Sequence, residues 1–507
     1  MKDYRSLETR YVVTPAERQN AEIAPTVTEL WNQQSPYNRS ALNTGIVHFG
    51  PGRFFRAHLA RIIHEHLAQN DPRWGICGVS LKSQSTIATL QPQDFLYTMT
   101  ERYSSDEHYE SVKVIGSLSQ IVNGIAERDT VLELMTSPDV HLVTLTITQA
   151  GYCLDSRFHL DISHESIAHD LSHPTHPTTA IGFIVEALRR RRDRDLIPFT
   201  TLSCDNLPRN GEILQRAVLS YAQQINPDLA AYIANHATFP NTVVDRIVPQ
   251  HQTCDDEQTY RLLQVHDRDP IVTEPFWQFV VEDKFTSDRP CWEETGVTMT
   301  DDITPFLYLK SRFLNAMHSF IACLAVRAGI EYVHQALRLP EFHLFLRLLM
   351  DDITTATPVA DQMCEQYIDQ VLIRLSNEAM PDAIERIAAE TSRKLGKYIL
   401  PILQDAHCQK ASLNRLILPI AAWMLAVRES AIESGKSFDP KDKPAIIAAI
   451  QSGASLSQIV GLEPCECAEM LDQECDRALG EIRTHGLSAT LRHYSQEHFQ
   501  HDLISAA

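Results

Sequence analysis

The feature that most constrains the fold is an alternation of short apolar runs with amphipathic helical segments. GIVHFG at residues 45–50 is an apolar run that ends in a turn, RAHLARIIHEHLAQ has helical periodicity, and GICGVSL at residues 75–81 is a second apolar run. Further buried-strand candidates lie at residues 112–118, 141–148 and 197–204, with helical segments near them. Strands that alternate with helices predict an α/β fold with a doubly wound parallel sheet covered on both faces.

The pattern changes after about residue 300. Long segments rich in Ala, Leu, Ile, Met, Glu and Arg follow, interrupted by prolines, and predict a mostly α-helical C-terminal domain. The boundary falls in RPCWEETGVTMTDDITPF, where Pro, Gly and paired aspartates interrupt both patterns. We therefore predict an aperiodic N-terminal arm over residues 1–44, an α/β domain over 45–297 and a helical substrate and catalytic domain over 298–507.

Composition excludes several classes of partner. The 507 residues include 45 Lys and Arg against 65 Asp and Glu, a formal charge of −20. Such a surface repels nucleic acid and anionic lipid, and the longest apolar stretch, PIAAWMLAV at 419–427, is half the length of a membrane span. The 11 scattered cysteines are odd in number, and no basic stretch precedes an apolar leader, so we expect a cytoplasmic protein with reduced thiols.

Gly50 and Gly52 follow the first predicted strand directly and precede a helix. A Rossmann-type domain needs one glycine for the tight turn and another so that the backbone can approach the pyrophosphate of a dinucleotide. The third glycine position of that fingerprint is Phe55, so the motif alone also fits an ordinary strand-to-helix turn.

KSRFLNAMHSF places Lys310, Asn315 and His318 at spacings of five and three residues. In an α-helix, at about 100° per residue, Asn315 would lie roughly 140° and His318 roughly 80° from Lys310. One broad helix face could then present all three side chains to a cleft. The alternative is a surface lysine, a polar asparagine and a histidine satisfied by its neighbours.

Several ordered blocks give these residues a context. The chain resembles the polyol-specific long-chain dehydrogenases, which include mannitol 2-dehydrogenase and fructuronate (mannonate) reductase. The resemblance extends from about residue 36 to 430. The blocks that carry it are GRFFRAHLA, SCDNLPRNG at 203–211, FPNTVVDRIVP at 239–249, VVEDKFTSDRPCWEETGV and PFLYLKSRFLNAMHSF.

The resemblance implies roles for individual residues. Lys310 would be the general base that takes the alcohol proton, which requires a lysine that is neutral near the working pH. Asn315 and Asn206 would stabilise the alkoxide, and His318 would hydrogen-bond the substrate. Asp245 would contact substrate hydroxyls or tune Lys310, unless it forms an ion pair with Arg246 or another base. The chemistry needs no metal, and the resemblance implies none.

Other positions are less determined. Arg386 and Lys394 align with cations that reach the substrate in relatives, although the surrounding family pattern is altered here to ETSRKLG, so both could also be surface cations. The family has glutamate where this chain has Leu307 and Gln149. Leu307 puts in doubt the family's route for protons between the lysine and bulk water.

The resemblance also implies that Gly50, Gly52, Phe54 and Arg56 form the cofactor turn. Cofactor choice depends on the end of the second strand, where a carboxylate would bind the ribose of NAD and exclude NADP. The chain has Lys82, Ser83, Gln84 and Ser85 there, and Ser83 is the candidate contact. We expect NAD from family habit, while these side chains could also accept NADP.

Three other clusters are assigned to structure. Five histidines crowd residues 159–176, but their spacing fits no standard zinc signature. Cys465, Cys467 and Cys475 lack a paired C-x2-C motif and are interpreted as helix packing. The arginines at 189–192 end a predicted helix, where cations meet the negative end of its dipole.

The sequence thus predicts an NAD(P)-dependent oxidoreductase that interconverts a linear polyol or aldonate and its ketose or keto-uronate. Mannitol 2-dehydrogenase is the first hypothesis and fructuronate reductase the second; for a carboxylate substrate, Arg386, Lys394 or Arg312 could supply a cation. A third hypothesis is a non-catalytic nucleotide-binding sensor. We expect a small-molecule substrate, no nucleic-acid or membrane partner, and a monomer or weak homo-oligomer.

Overall fold

The computed structural model describes residues 26–69, 71–105, 108–389, 391–430, 444–463 and 465–505. The chain divides into two compact units. The first runs to Tyr103 and resumes from His108 to Ile303, and the second begins at Thr304 and also takes in Ser104.

The first unit is organised around a five-stranded sheet in which every neighbouring pair is parallel, with the order β5-β2-β1-β6-β7. Its strands are β1 (Thr44–Phe49), β2 (Gly75–Ser80), β5 (Leu118–Asn123), β6 (Leu142–Leu145) and β7 (Thr200–Ser203). The chain leaves β1 on one side for β2 and returns on its other side as β6. The loops after β1 and β6 therefore diverge, and ligands of open α/β sheets bind in the crevice at such a point.

Both faces of this sheet are buried. Val47, Val79 and Val143 belong to one apolar cluster, whereas their neighbours Ile46 and Leu142 belong to another. Alternate residues of a strand point to opposite faces, so each cluster covers one face. The prediction of a parallel sheet covered on both sides is confirmed.

Two smaller sheets complete the strands of this unit. One has the order β11-β10-β8 and the other β4-β3-β9. Their strands are β3 (Tyr97–Ser104), β4 (His108–Ile115), β8 (Thr242–Asp245), β9 (Ile271–Thr273), β10 (Gln278–Glu282) and β11 (Thr298–Thr300). The single strand predicted over 112–118 is wrong: β4 ends at Ile115 and β5 begins at Leu118. Gly116 lies between them against the Trp31 ring, where an added Cβ would come within 2.5 Å of that ring.

The helices of the first unit are α1 (Val27–Gln34), α2 (Arg53–Ala57), α3 (Leu59–Leu67), α4 (Ser85–Leu90), α5 (Arg128–Met135), α6 (Thr148–Gly151), α7 (Glu165–Ser172), α8 (Ala180–Asp193), α9 (Asn210–Ile225), α10 (Pro227–His236) and α11 (Thr253–Leu263). Helix α1 departs from the aperiodic arm predicted over 1–44, whose residues 1–25 lie outside the described range. Thr26 and Glu29 form a capping box, and Leu30 and Trp31 are buried, so a short local signal is enough to form this helix.

In the described residues of the second unit, the regular secondary structure is helical, apart from Ser104, which ends β3, and an isolated bridge between Tyr332 and Ala383. Its α-helices are α12 (Thr304–Leu309), α13 (Ala316–Ala328), α14 (Val333–Arg338), α15 (Pro340–Thr355), α16 (Asp361–Leu375), α17 (Ile384–Ala388), α18 (Thr391–Lys394), α19 (Leu400–Cys408), α20 (Asn414–Ser430), α21 (Pro444–Gln451), α22 (Leu456–Val460), α23 (Glu466–His485) and α24 (Leu487–Ser505). Residues 310–315 and 395–399 are π-helical.

One apolar core holds this unit together, and α13 and α20 cross it. The apolar stretch at 419–427 lies within α20 and is buried there, as predicted. Within the described ranges, no helix has both the length and the apolar character that crossing a bilayer requires.

Burial of three histidines makes the first unit sensitive to acid. Desolvation lowers the pKa of His48, His58 and His64 to about 3. Histidines of the unfolded chain have a pKa of about 6.5, so between about pH 3 and this value the unfolded state binds protons that the folded state does not. Stability must therefore fall as the pH decreases below about 6.5.

We predict that each of these histidines lowers the free energy of unfolding by about 1.4 kcal/mol when the pH falls from about 7.5 to 5.5. Over this pH range, the unfolding free energy of His48→Gln should therefore fall by about 1.4 kcal/mol less than that of the wild type. Urea unfolding followed by tryptophan fluorescence measures it, since four of the five tryptophans lie in the first unit. His159→Gln, at a side chain 60% exposed, is the control; equal pH slopes for the wild type and His48→Gln would contradict the prediction.

Candidate active site

The turn after β1 has the backbone geometry of a phosphate-binding turn. Gly50 has φ +87°, and an added Cβ would lie 2.3 Å from the Thr146 carbonyl oxygen, so only glycine fits. Gly52 is different, because its Cβ would meet only the Gly50 carbonyl oxygen, at 3.9 Å. The protein itself leaves space over Gly52, which is the room that a dinucleotide pyrophosphate needs. The residues present thus fit a dinucleotide.

The aromatic side chains after this turn pack inward. Phe55, in the third glycine position, is fully buried and stacks on His48 with ring centroids 3.6 Å apart. Phe54 stacks on His58 at 5.2 Å. His48 also contacts the Thr144 hydroxyl at 2.7 Å and the Thr146 hydroxyl at 2.9 Å. Packing against a neutral imidazole therefore replaces the close helix–strand contact that a third glycine would allow.

Arg56 lies in the protein interior. Its Nη2 donates to Asp269 Oδ2 at 2.6 Å, and the guanidinium stands over the Tyr97 ring, 5.3 Å from its centroid. Only 1% of the residue is exposed. The structure thus gives Arg56 contacts within the fold, and its assignment to cofactor binding stays a prediction.

The predicted cofactor-selecting loop follows β2. Ser80 Oγ donates to the Ser83 carbonyl, and Ser83 Oγ lies 2.6 Å from Ser85 Oγ. Lys82, Ser83 and Gln84 are exposed. The loop therefore presents hydroxyls and a cation, and residues 80–86 contain no carboxylate.

Asp205 joins the loops after β6 and β7, a connection that sequence reasoning missed. Its carboxylate accepts from the backbone N–H groups of Ile147 and Thr148 at 3.0 and 2.9 Å, and from the Tyr152 hydroxyl at 2.7 Å. Tyr152 also lies 2.6 Å from Ser203 Oγ. Burial raises the pKa of both the Asp205 carboxyl and the Tyr152 hydroxyl.

The contacts of Asp205 lie at the carboxyl edge of the sheet, next to the predicted site residue Asn206 and to Gln149, where the family has glutamate. Asn206 follows Asp205 directly and is exposed, and Gln149 is exposed on α6, whose first residue, Thr148, donates to Asp205. Thr148 takes the uncommon φ of +59° there. The signal in the sequence was the acidic residue within SCDNLPRNG at 203–211.

Asp245 ends β8, where it is 4% exposed and lies opposite Gln278. Its neighbour Arg246 donates to Glu101 Oε1 at 2.5 Å and to the Glu274 carbonyl at 2.9 Å. Arg246 thus has another carboxylate partner, and a substrate role for Asp245 stays a prediction.

The helix that carries the predicted catalytic residues contains a π turn. Residues Lys310–Asn315 are π-helical, and the Ala316 N–H donates to the Ser311 carbonyl, five residues back. The α-helical angles predicted for this segment are therefore wrong. A turn closed between residues five apart brings Lys310 and Asn315 nearer to one face than α-helical geometry would. Lys310 is 9% exposed and Asn315 is half-buried.

His318 follows on α13, close to a pair of oppositely charged side chains. Its Nε2 lies 3.8 Å from Asp382 Oδ2. Arg386, on α17, donates to the same carboxylate at 2.5, 2.6 and 2.8 Å. The structure therefore brings His318 and Arg386 to one carboxylate that the sequence reasoning did not select.

The other predicted cations of the second unit are also engaged. The Arg312 guanidinium pairs with Asp405 and donates to the Ala356 carbonyl at 2.6 Å. Lys394 donates to the Ile387 carbonyl. Leu307 lies half-buried on α12.

The clusters assigned to structure have ordinary surroundings. His169 and His173 stack with centroids 4.9 Å apart. Cys475 is buried beside Met424, whereas Cys465 is exposed. Among the described residues, no group of three or more His, Cys, Asp or Glu side chains could hold a metal ion.

Comparison with known proteins identifies the class of protein that this fold and site define. The family model described as the mannitol dehydrogenase Rossmann domain matches residues 44–294, and that of the mannitol dehydrogenase C-terminal domain matches residues 302–463. The chain belongs to the mannitol dehydrogenase family and is an oxidoreductase. The resemblance and the fold class predicted from the sequence are thereby confirmed.

Individual relatives are similar over most of their length. D-mannonate oxidoreductase of Escherichia coli is 36% identical over 414 residues, which cover 80% of this chain and 84% of the relative. Mannitol 2-dehydrogenase of Phaeosphaeria nodorum is 33% identical over 484 residues, covering 92% and 84%. A solved structure of Pseudomonas fluorescens mannitol 2-dehydrogenase, in ternary complex with NAD and D-mannitol, is 33% identical, with a TM-score of 0.75 over 91% of this chain and 96% of that one.

We predict that substitutions at the two glycines of the turn after β1 affect different properties, stability at Gly50 and cofactor binding at Gly52. Gly50→Ala should lower the unfolding free energy by about 1–3 kcal/mol, because it strains the backbone and meets a carbonyl. Gly52→Ala should leave stability unchanged and weaken NADH binding about tenfold, because its methyl group fills the space left for the pyrophosphate. Thermal unfolding and fluorescence titration with NADH measure the two effects. Wild-type affinity in Gly52→Ala would refute this assignment of the turn.

Proposed function

We propose that the protein is a mannitol 2-dehydrogenase that interconverts D-mannitol and D-fructose with NAD. The observation that carries the choice of an uncharged substrate is the pairing of the candidate cations. Arg386 is held by both oxygens of Asp382, and the buried Arg312 pairs with Asp405. Two of the three cations that could receive a substrate carboxylate are thus already neutralised by carboxylates of the protein.

The proposed chemistry assigns one task to each residue of the site. Lys310, nearly buried and therefore easier to hold uncharged, takes the proton of the reacting hydroxyl. When bound, NAD would supply the acceptor for the hydride of the same carbon. Asn315 and Asn206 donate to the oxygen as its negative charge develops. His318 donates to or accepts from a neighbouring substrate hydroxyl.

The cofactor half of the proposal has its own support. The open space over Gly52 suits a pyrophosphate, and the solved relative was captured with NAD. NADP is the second candidate, because the exposed Lys82 and Ser83 could contact a 2′-phosphate and no carboxylate at 80–86 would repel it.

Fructuronate reductase is the second candidate function. It is favoured by the identity of 36% to a D-mannonate oxidoreductase and by Lys394, whose ammonium is half-buried and bonded to a backbone carbonyl. The cytoplasmic location and the monomeric or weakly oligomeric state stay predictions.

The proposal predicts that the purified enzyme oxidises NADH with fructose and reduces NAD with mannitol. Nicotinamide absorbance measures this, with NADPH, fructuronate, tagaturonate and arabinitol in parallel. Activity with keto-uronates alone would contradict the proposal and indicate a fructuronate reductase instead. If no substrate and cofactor pair gives activity while nucleotide binding is intact, the result would favour the non-catalytic nucleotide-binding sensor.

Lys310→Ala is the matched control in the same assay. Loss of a general base should reduce turnover by about 10²- to 10⁴-fold while NADH binding stays unchanged. Unchanged turnover would remove Lys310 from the mechanism.

A further inference from the structure

Asp382 lies where two predicted substrate residues meet. Its Oδ2 is 3.8 Å from His318 Nε2 on one side, and its carboxylate accepts three hydrogen bonds from Arg386 on the other. The Asp382 side chain is 11% exposed, that of His318 is 16% exposed and that of Arg386 is 68% exposed. A largely buried carboxylate therefore separates an imidazole from a solvent-facing guanidinium.

The surrounding helices fix this arrangement. The Asp382 carbonyl accepts from the Val333 N–H at 3.0 Å, and α17 begins two residues later. Ile384 and Ile387 anchor α17 in the core of the second unit, where the helix packs on α13. Arg386 is four residues from Asp382 and reaches back to it along α17. The position of the carboxylate beside His318 thus follows from backbone and core contacts.

The charge at this place matters for an incoming substrate. Because Asp382 and Arg386 neutralise each other, the pair offers no net positive charge to a substrate carboxylate, whereas substrate hydroxyls can donate to the Asp382 oxygens. It also occupies the fork of Arg386, which could otherwise bind a substrate carboxylate with two parallel hydrogen bonds.

We propose that Asp382 is a specificity-determining residue that favours uncharged polyols and ketoses over aldonates and keto-uronates. Its carboxylate lies beside the His318 imidazole and keeps Arg386 from binding an anion. This inference rests on the proposed function, because that function places the substrate beside His318.

The test compares fructuronate with fructose in wild-type enzyme and Asp382→Asn. The amide keeps the shape but removes the charge, so Arg386 becomes available to a carboxylate. The ratio of kcat/KM for fructuronate to that for fructose should rise about tenfold or more, chiefly through a lower KM for fructuronate. Asp382→Glu should keep the wild-type preference, and adding Arg386→Gln to Asp382→Asn should cancel the gain.

Asp369→Asn is the matched control, because it removes the same charge from an exposed pair with Arg347 in the same unit. Its substrate ratio should equal that of the wild type. If Asp382→Asn is unstable in thermal unfolding, Asp382→Ser provides the second neutral variant.

The outcomes separate the two proposals. Wild-type activity on fructose with an unchanged or lower ratio in the neutral variants would overturn the role of Asp382 and leave the proposed function standing. Wild-type activity on keto-uronates alone would overturn the proposed function, and with it the preference assigned to Asp382.

Discussion

The π-helical turn from Lys310 to Asn315 is the constraint on which the arrangement of the candidate catalytic residues in the second unit depends. A π turn has fewer favourable backbone contacts than an α turn and persists where the surroundings stabilise it. Here Phe313 and Leu314 are buried in the core, and Arg312 is fixed by Asp405 and the Ala356 carbonyl. These contacts hold the turn, and the turn places the lysine and the asparagine toward a common face.

The corresponding constraint in the first unit is the divergence of loops at the sheet edge. Gly50 can turn away from β1 only because it has no side chain, and the Thr146 carbonyl occupies the place of its Cβ. Asp205 then ties the loop after β6 to the start of the loop that carries Asn206. The Asp205 carboxylate and the Tyr152 hydroxyl are stable there because both have hydrogen-bond partners.

Periodicity was enough to predict four of the five strands of the main sheet and many helices. Apolar runs at 141–148 and 197–204 became β6 and β7, because burial on both faces of a parallel sheet leaves an unbroken apolar pattern. The helix predicted to end at the arginines 189–192 became α8. The strand predicted over 112–118 failed because the signal of two successive strands was continuous across Gly116. Helix α1 was missed because its signal is a capping box and one turn of buried residues.

The site was predicted less completely, for a physical reason. Lys310, Asn315 and His318 could be selected from one local segment, but the π turn between them depends on contacts with Ala356 and Asp405, which are distant in sequence. Asp382 and Asp205 act through contacts made across the fold: Asp382 approaches His318 from 64 residues away, and Asp205 reaches Ile147 from 58 residues away. Residue spacing in the sequence does not reveal contacts between such distant residues.

The central claim is that the Lys310 amine is the base for alcohol oxidation, and chemical rescue tests it most directly. Lys310→Ala should regain mannitol oxidation when small primary amines are added, with a rate that rises with the concentration of unprotonated amine and with amine basicity. Asn315→Ala, which keeps the lysine, should show no such response. The account would be contradicted if added amines did not change the rate of mannitol oxidation by Lys310→Ala and that rate kept the wild-type dependence on pH.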